Sequence, residues 1–253
     1  MEIRFLGTHN SETSDFAHTC LVLDEIWLFD CGSAASRLSL IEQQNLCGIF
    51  VTHGHYDHIK DLPALGMNYF LSGCPNLPMP VMALKSTLES ISSHLGDGHI
   101  YSDFFAKGIF AGHAVELGIG FSLQGYEIIP VKSWHKLTAT GYYVKKGLTS
   151  FYYTGDTQSG FAQSFIDLGL SCNTLIVECT LKNEYAGSTS HLCPQELGEE
   201  LKLLVAHQGF APRVFAVHRS VKQEEDILTQ LQELSEELGF PIYCPSEGQK
   251  IGL

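Results

Sequence analysis

The sequence predicts an α/β fold, because two kinds of segment are mixed along the chain. Short apolar runs with β-branched residues, such as residues 46–51, are typical of buried strands. Two longer stretches near the C-terminus have apolar residues at helical spacing. The composition, 44% hydrophobic and 17% charged over 253 residues, is that of a globular protein and excludes general disorder.

The expected organisation is one domain over residues 1–253, β-rich in its first third and mixed afterwards. Residues 1–6 form an expected strand. Residues 71–80, with three prolines and a glycine, form an expected loop. Together with residues 81–113 this loop makes a large insert. The sequence contains no internal repeat, low-complexity segment or linker.

Three helices are predicted from their terminal residues. Ser86 and Glu89 have the spacing of a capping box and predict the start of one helix. Pro194 suits the first turn of a second helix, which Gly209 ends. A third, acidic helix ends at Gly239, and we interpret its charged face as solvated.

The most informative segment reads Thr-His-Gly-His-Tyr-Asp-His over residues 52–58. Neutral imidazole and carboxylate are preferred ligands of a divalent cation such as zinc. The segment follows the predicted strand 46–51, so its ligands lie where a strand ends. His53 and His55 can converge on one ion, whereas Asp57 and His58 point to a neighbouring position. The spacing therefore suggests two metal ions.

Three further candidate ligands also follow apolar, strand-like runs. They are His135 after residues 121–131, Asp156 after residues 150–153, and His218 after residues 213–217. Each of them alone would more often be an ordinary polar or turn residue. They become candidates because together they complete one coordination set, and because strand ends are a rigid place to build a site.

These segments, taken together and in this order, resemble the motifs of the metallo-β-lactamase-fold hydrolases. The run Trp-Leu-Phe-Asp-Cys-Gly at residues 27–32 resembles the first motif, in which Asp30 supports the metal loop. The resemblance implies an αββα four-layer sandwich with two divalent ions, zinc first, although manganese or iron would also suit. It implies the following ligands: His53, His55 and His135 for one ion, Asp57, His58 and His218 for the other, and Asp156 bridging both.

The bridging position separates reaction classes within that family. Asp156 stands where the β-lactamases of this fold have a cysteine. An oxygen bridge between two ions suits phosphoester hydrolysis, in which paired metals clamp the nucleophile and the phosphoryl oxygens. The sequence therefore disfavours a β-lactamase. Thioester hydrolysis of the glyoxalase type shares the oxygen bridge and stays open.

A second pair of segments is similar to two groups of phosphodiesterases. Glu-Cys-Thr at residues 178–180, followed by His-Leu-Cys-Pro at residues 191–194, resembles the class II cyclic-nucleotide phosphodiesterases and, less closely, the tRNA 3′-processing nucleases. This resemblance implies that His191 protonates the leaving alkoxide and that Glu178 orients it. The expected catalytic residues are His191 and Glu178, together with the metal ligand Asp57.

A third, weaker resemblance to the cyclic-nucleotide group covers residues 93–104. It implies substrate contacts from His94 and His99. Two departures put a cyclic nucleotide itself in doubt: Cys193 replaces a threonine, and Tyr101-Ser102 replaces a tryptophan-proline pair.

We therefore expect a binuclear phosphodiesterase that uses a hydroxide bridging the ions to cleave a small phosphodiester. The net charge of −13 disfavours a nucleic-acid surface. No apolar run is long enough to span a bilayer, and the N-terminus lacks signal-peptide features, so a cytoplasmic protein with reduced cysteines is expected. The alternatives are a tRNA 3′-processing endonuclease, a thioester hydrolase and a non-catalytic metal sensor. A homodimer is left open.

Overall fold

The computed structural model describes residues 1–253, and they form two compact units. The first unit comprises Met1–Thr8, Glu12–Val115 and Ser246–Gly252, and the second comprises His9–Ser11, Glu116–Pro245 and Leu253. None of the helices combines the length and the apolar character that crossing a membrane requires.

The first unit contains most of the N-terminal half. Its elements are β1 (Glu2–Gly7), β2 (Cys20–Leu23), β3 (Trp27–Phe29), α1 (Ala34–Arg37), α2 (Leu40–Asn45), β4 (Gly48–Phe50), α3 (Tyr56–Ile59), α4 (Leu62–Ser72), β5 (Met79–Leu84), α5 (Lys85–His94) and β6 (Phe110–Val115).

The second unit contains most of the C-terminal half. Its elements are β7 (Phe121–Leu123), β8 (Tyr126–Ser133), β9 (Ala139–Lys146), β10 (Thr149–Tyr153), α6 (Phe161–Ile166), β11 (Thr174–Glu178), α7 (Pro194–Gln208), β12 (Arg213–Val217), α8 (Glu224–Leu238) and β13 (Ile242–Tyr243). The chain then returns to the first unit with β14 (Lys250–Gly252).

Each unit is built on one mixed seven-stranded sheet, and the two sheets share a pattern. In the first sheet the order is β14-β1-β2-β3-β4-β5-β6, in the second it is β13-β12-β11-β10-β9-β8-β7. In each sheet three neighbouring pairs are antiparallel and three are parallel. The sequence shows no repeat, so this similarity belongs to the backbone rather than to the side chains.

Each sheet buries one face against helices of its own unit. In the first unit, Val22, Leu28 and Ile49 on the strands pack in one cluster with Leu62 and Leu65 of α4. In the second unit, strand residues such as Val177 and Val214 pack with the apolar stripes of α7 and α8. Burial of these faces is the main favourable contribution to folding, and it holds the strand ends that carry the site.

The helix ends confirm two predictions and correct one. The helix predicted at Pro194 is α7, and Gly209 ends it with a left-handed φ of 78°. The helix predicted to end at Gly239 is α8. The capping box predicted at Ser86 is wrong, because β5 runs directly into α5 and the N-cap is Leu84, without a side-chain cap. Ser86 therefore lies inside the helix.

The segment expected to be an insert, residues 71–113, contains regular structure of the first unit. Helix α4 continues to Ser72 and β5 begins at Met79, so the loop between them is shorter than expected. Strands β5 and β6 are parallel members of the first sheet and pair from Met79↔Phe110 to Leu84↔Val115.

Candidate metal centre

Most candidate donor groups lie at or just beyond the carboxyl ends of strands that pair in parallel, whereas His135 follows the antiparallel strand β8. In the first unit, Asp30 directly follows β3 and His53 follows β4. In the second unit, Glu178 is the last residue of β11 and His218 directly follows β12. The carboxyl edge of parallel strands is the usual place for a site in α/β folds, since the adjoining loops converge there.

In the first unit the structure brings the four residues of the histidine-rich segment close together in pairs. His53 Nε2 lies 2.9 Å from His55 Nδ1. His55 caps the short helix α3, which carries Asp57 and His58, and Asp57 Oδ2 lies 3.6 Å from His58 Nε2. His53 and His58 are fully buried, whereas Asp57 is 23% exposed.

Asp30 holds this segment in place through hydrogen bonds. Its carboxylate accepts hydrogen bonds from the Thr52 backbone N–H at 2.8 Å, from the Thr52 hydroxyl at 3.0 Å and from His58 Nδ1 at 2.8 Å. Asp30 is fully buried and has a φ of 56°, in the left-handed region that few non-glycine residues adopt. Such a backbone outlier at a site marks a position that its surroundings hold in place.

These bonds decide which ring nitrogen of each histidine carries the proton. A carboxylate only accepts, so His58 must donate from Nδ1, and its lone pair lies on Nε2. The Thr52 hydroxyl gives its own proton to Asp30 and therefore accepts one from His53 Nδ1, 3.0 Å away. His53 consequently also has its lone pair on Nε2, the nitrogen that lies beside His55.

In the second unit the structure groups His135, Asp156 and His218. Asp156 Oδ1 lies 3.4 Å from His218 Nε2, and Asp156 Oδ2 lies 4.0 Å from His135 Nε2. The two carboxylate oxygens thus face different histidines. His135 donates from Nδ1 to the Ser190 carbonyl at 3.0 Å, which places its lone pair on Nε2. Burial lowers the pKa of His135 and so favours the neutral imidazole that a metal requires.

Glu178 occupies a position in the second unit that parallels Asp30 in the first. It is fully buried and accepts hydrogen bonds from His191 Nδ1 at 2.9 Å, from the Thr157 and Leu192 backbone N–H groups, and from the Thr180 hydroxyl. Because Thr180 donates to Glu178, it accepts from His218 Nδ1 at 2.8 Å.

His191 stands between two of the candidate ligands. Its ring stacks on that of His218, with centroids 5.5 Å apart and an interplanar angle of 18°, and lies 5.0 Å from the ring of His135. Its side chain remains 24% exposed. His191 is therefore held in orientation by Glu178 and still open to solvent, as a group that exchanges protons with a substrate must be.

The donor set fits a divalent cation. In the first unit, His53 and His58 each present a Nε2 lone pair, and Asp57 lies beside His58. In the second unit, His135 and His218 do the same, and the buried Asp156 carboxylate lies beside them. Nitrogen and oxygen donors of this kind are the preferred ligands of zinc and similar borderline ions. Hydrogen bonds to the distal Nδ1 are the usual way in which proteins orient metal-binding histidines.

The sequence did not predict the role of Thr52 and Thr180. Each hydroxyl links a buried carboxylate to a histidine. A signal was present, since Thr52 directly precedes His53 and Thr180 lies two residues after Glu178. The two expected substrate contacts, His94 and His99, are exposed, the first at the end of α5 and the second in the loop after it. Neither belongs to a cluster of donor groups.

The family described as the β-lactamase superfamily domain matches residues 27–218, more than half of the chain. The Ribonuclease Z of Prochlorococcus marinus (strain MIT 9312) is 33% identical over 162 residues, which is 58% of this chain and 50% of that protein. Across the curated Ribonuclease Z relatives, the matched region spans between about a quarter and half of their length.

Solved structures with low sequence identity share the fold. Unliganded yeast PDE1 has a TM-score of 0.82 at 17% identity and covers 100% of this chain and 99% of its own. The metallo-β-lactamase fold protein YhfI from Bacillus subtilis has a TM-score of 0.79 at 18% identity, with 99% and 98% covered. The predicted fold class is thereby confirmed, and this protein belongs to the β-lactamase superfamily of metallo-β-lactamase-fold proteins.

Proposed function

We propose that this protein is a binuclear metal-dependent phosphodiesterase that acts on a small phosphodiester. In this proposal the donors of both units serve two divalent ions, zinc first. The assignments follow the sequence motifs: His53, His55 and His135 on one ion, Asp57, His58 and His218 on the other, and Asp156 bridging them.

One observation carries the proposal of a two-metal hydrolase. Asp156 offers its two oxygens to histidines on different sides, His218 at 3.4 Å and His135 at 4.0 Å. A carboxylate with that arrangement can serve two ions at once. When bound, paired ions would supply an activated water and positive charge beside the phosphoryl oxygens, which is the chemistry of phosphodiester cleavage.

The protein's own residues would then handle substrate orientation and the proton. His191, held through Nδ1 by Glu178, has its Nε2 edge available to a leaving oxygen. Histidine is the side chain that most often transfers protons in catalysis. The hydrogen bond from Nδ1 to the buried Glu178 stabilises the protonated imidazole.

The comparisons support the same reaction class. The curated relatives carry the name Ribonuclease Z, and a ribonuclease cleaves phosphodiester bonds. The net charge of −13 disfavours a long polyanion as substrate and favours a small one.

The test is a comparison of substrates on metal-loaded protein. Bis(p-nitrophenyl) phosphate, a nucleoside cyclic phosphate, S-lactoylglutathione and a tRNA precursor are assayed side by side, and bound metal is counted by mass spectrometry. We expect about two ions per chain and turnover of a phosphodiester above that of the thioester. Asp156→Ala should abolish turnover and metal binding together.

A matched histidine substitution controls for general damage. His113 is exposed on β6 and belongs to no donor cluster, so His113→Ala should retain metal and activity while His135→Ala loses both. Faster cleavage of the thioester would overturn the phosphodiesterase assignment. Two bound ions without any hydrolysis would instead identify a metal-binding protein that is not an enzyme.

A further inference from the structure

A pocket with a volume of about 310 Å³ lies in the second unit, next to the candidate ligand His135. It is formed around the hairpin loop that joins β8 to β9, between Ser133 and Ala139. Ligand pockets in proteins begin at roughly this size, enough for one ring or one phosphate with its ester group. Since His135 lines it, a molecule in the pocket would adjoin the metal centre proposed above.

The pocket carries positive charge in an acidic protein. Lys132 and Lys136 line it, and none of its lining residues is a carboxylate. Neither lysine forms an ion pair, whereas Lys60, Lys182 and Lys250 each contact two carboxylates. In a chain with a net charge of −13, two lysines without acidic partners at one pocket point to an anionic ligand.

The ammonium group of Lys132 is held by an aromatic ring. It lies 3.4 Å from the ring centroid of Trp134, a cation–π contact that orients the group without neutralising it. The indole is itself fixed, because its Nε1–H donates to the Ser164 hydroxyl at 2.9 Å. A side chain added at Gly160 would meet the indole at 3.1 Å, so the ring packs closely on that glycine.

We propose that this pocket binds a second phosphate group of the substrate, in addition to the phosphodiester that is cleaved. This inference rests on the proposed function and narrows its substrate class to small phosphodiesters that bear another phosphate. Lys132 and Lys136 would contact the phosphate oxygens, and the apolar side chains of Leu117 and Leu137 would border the attached sugar or ring. Lysine is a usual phosphate ligand in proteins.

The experiment measures binding rather than turnover, so that it can succeed even if the protein proves not to be a phosphodiesterase. Thymidine 5′-monophosphate and thymidine 3′,5′-bisphosphate are titrated calorimetrically into the metal-loaded protein. We expect the bisphosphate to bind about 10-fold more tightly, because each charged hydrogen bond contributes enough to reach that ratio. The preference should weaken as salt is raised.

Variants that remove lysine charges test whether the pocket is the source of this preference for the bisphosphate. Lys132→Gln combined with Lys136→Gln should bring the two affinities to within about twofold of each other while both metal ions stay bound. Lys222 is exposed and lies outside the pocket, so Lys222→Gln should keep the full preference. The inference is overturned if the double variant prefers the bisphosphate as strongly as the unmodified protein does. It is also overturned if the unmodified protein shows no preference for the bisphosphate.

A small molecule and a nucleic acid can present the same phosphate. Decathymidylate is therefore titrated as well, and we expect it to bind no more tightly than the bisphosphate, since the surface around the pocket belongs to an acidic protein. Lysine-dependent binding of the oligonucleotide that exceeds that of the bisphosphate would overturn the assignment to small substrates.

Discussion

His191 donates its Nδ1–H to Glu178 over 2.9 Å, and the same carboxylate reaches His218 through the hydroxyl of Thr180. Asp30 does the same in the other unit, where it accepts directly from His58 and reaches His53 through Thr52. One buried carboxylate in each unit thus fixes two imidazoles.

Asp30→Asn should weaken metal retention while leaving the fold intact. The Asp30 carboxylate accepts from the Thr52 N–H, the Thr52 hydroxyl and His58 Nδ1, so an amide NH₂ in its place would face a donor. Loss of such an orienting carboxylate typically costs about 10–100-fold in metal affinity or activity. Competition with a chromogenic chelator measures the metal affinity, and circular dichroism checks that the variant is folded.

Asp15→Asn makes the same chemical change at an exposed position, and it should leave metal affinity unchanged. If Asp30→Asn retains its ions as tightly as that control, Asp30 does not orient the metal-binding loop.

Thr52→Val and Thr180→Val should each lower the affinity of the protein for one of the two metal ions. Valine keeps the shape but removes the hydroxyl that accepts from His53 or His218, and the ring then loses its fixed orientation. The expected loss is again about 10–100-fold for the ion bound by that histidine. Stepwise metal titration followed by calorimetry should therefore show one strong and one weak site in each variant.

Thr52→Ser and Thr180→Ser keep the hydroxyl and should restore both strong sites. Serine variants as weak as the valine ones would mean that the methyl group, through packing, is what matters at these positions.

The strands and most candidate donors were predictable because their signals are local. The apolar run at residues 46–51 and the donors His53, His55, Asp57 and His58 all lie between residues 46 and 58. The link from Thr180 to His218 could not be predicted in the same way. Thr180 meets His218 across 38 residues, and that contact exists only because β11 and β12 pair in register from Thr174↔Arg213 to Glu178↔Val217.

Backbone context explains the other differences between sequence and structure. Ser86 and Glu89 have the right spacing for a capping box, but β5 ends directly before the helix and fixes the N-cap at Leu84. A real capping box occurs at Ser39 and Glu42, where a helix begins after an extended residue. Capping depends on where the chain enters the helix, which is set by the sheet.

Thiol reactivity should be confined to a few of the eight cysteines. All are free, and burial raises the pKa of Cys20, Cys31, Cys172 and Cys179 far above the ordinary thiol value, so these should resist alkylation. Cys47 is partly exposed. Iodoacetamide at pH 8 should label Cys47 first, and peptide mass spectrometry of the folded protein measures the order.

Cys47→Ser should remove the fast phase of labelling without changing metal content. Labelling of Cys179 at the rate of Cys47 would contradict the burial of the second unit's core.

His191→Ala should separate proton transfer from metal binding. The hydrogen bond of His191 goes to Glu178 at 2.9 Å, whereas the proposed bridging residue Asp156 lies 3.9 Å from its Nδ1, so both metals should remain bound. General acid catalysis contributes roughly 10²–10⁴-fold, and the loss should depend on the leaving group. An alkoxide such as a ribose oxygen needs the proton, whereas nitrophenolate leaves nearly unaided. The turnover of the variant should therefore fall strongly on a nucleotide diester and only slightly on bis(p-nitrophenyl) phosphate.

His207→Ala is the matched control, because His207 is an exposed histidine that donates to the Leu170 carbonyl and belongs to no donor cluster. It should be unchanged on both substrates. Equal losses on both substrates in His191→Ala would assign His191 to substrate positioning or to stabilisation of phosphate charge. Loss of a metal ion would make His191 a ligand, and the assignment of His218 to the second ion would then be wrong, since the two rings stack 5.5 Å apart and could exchange that role.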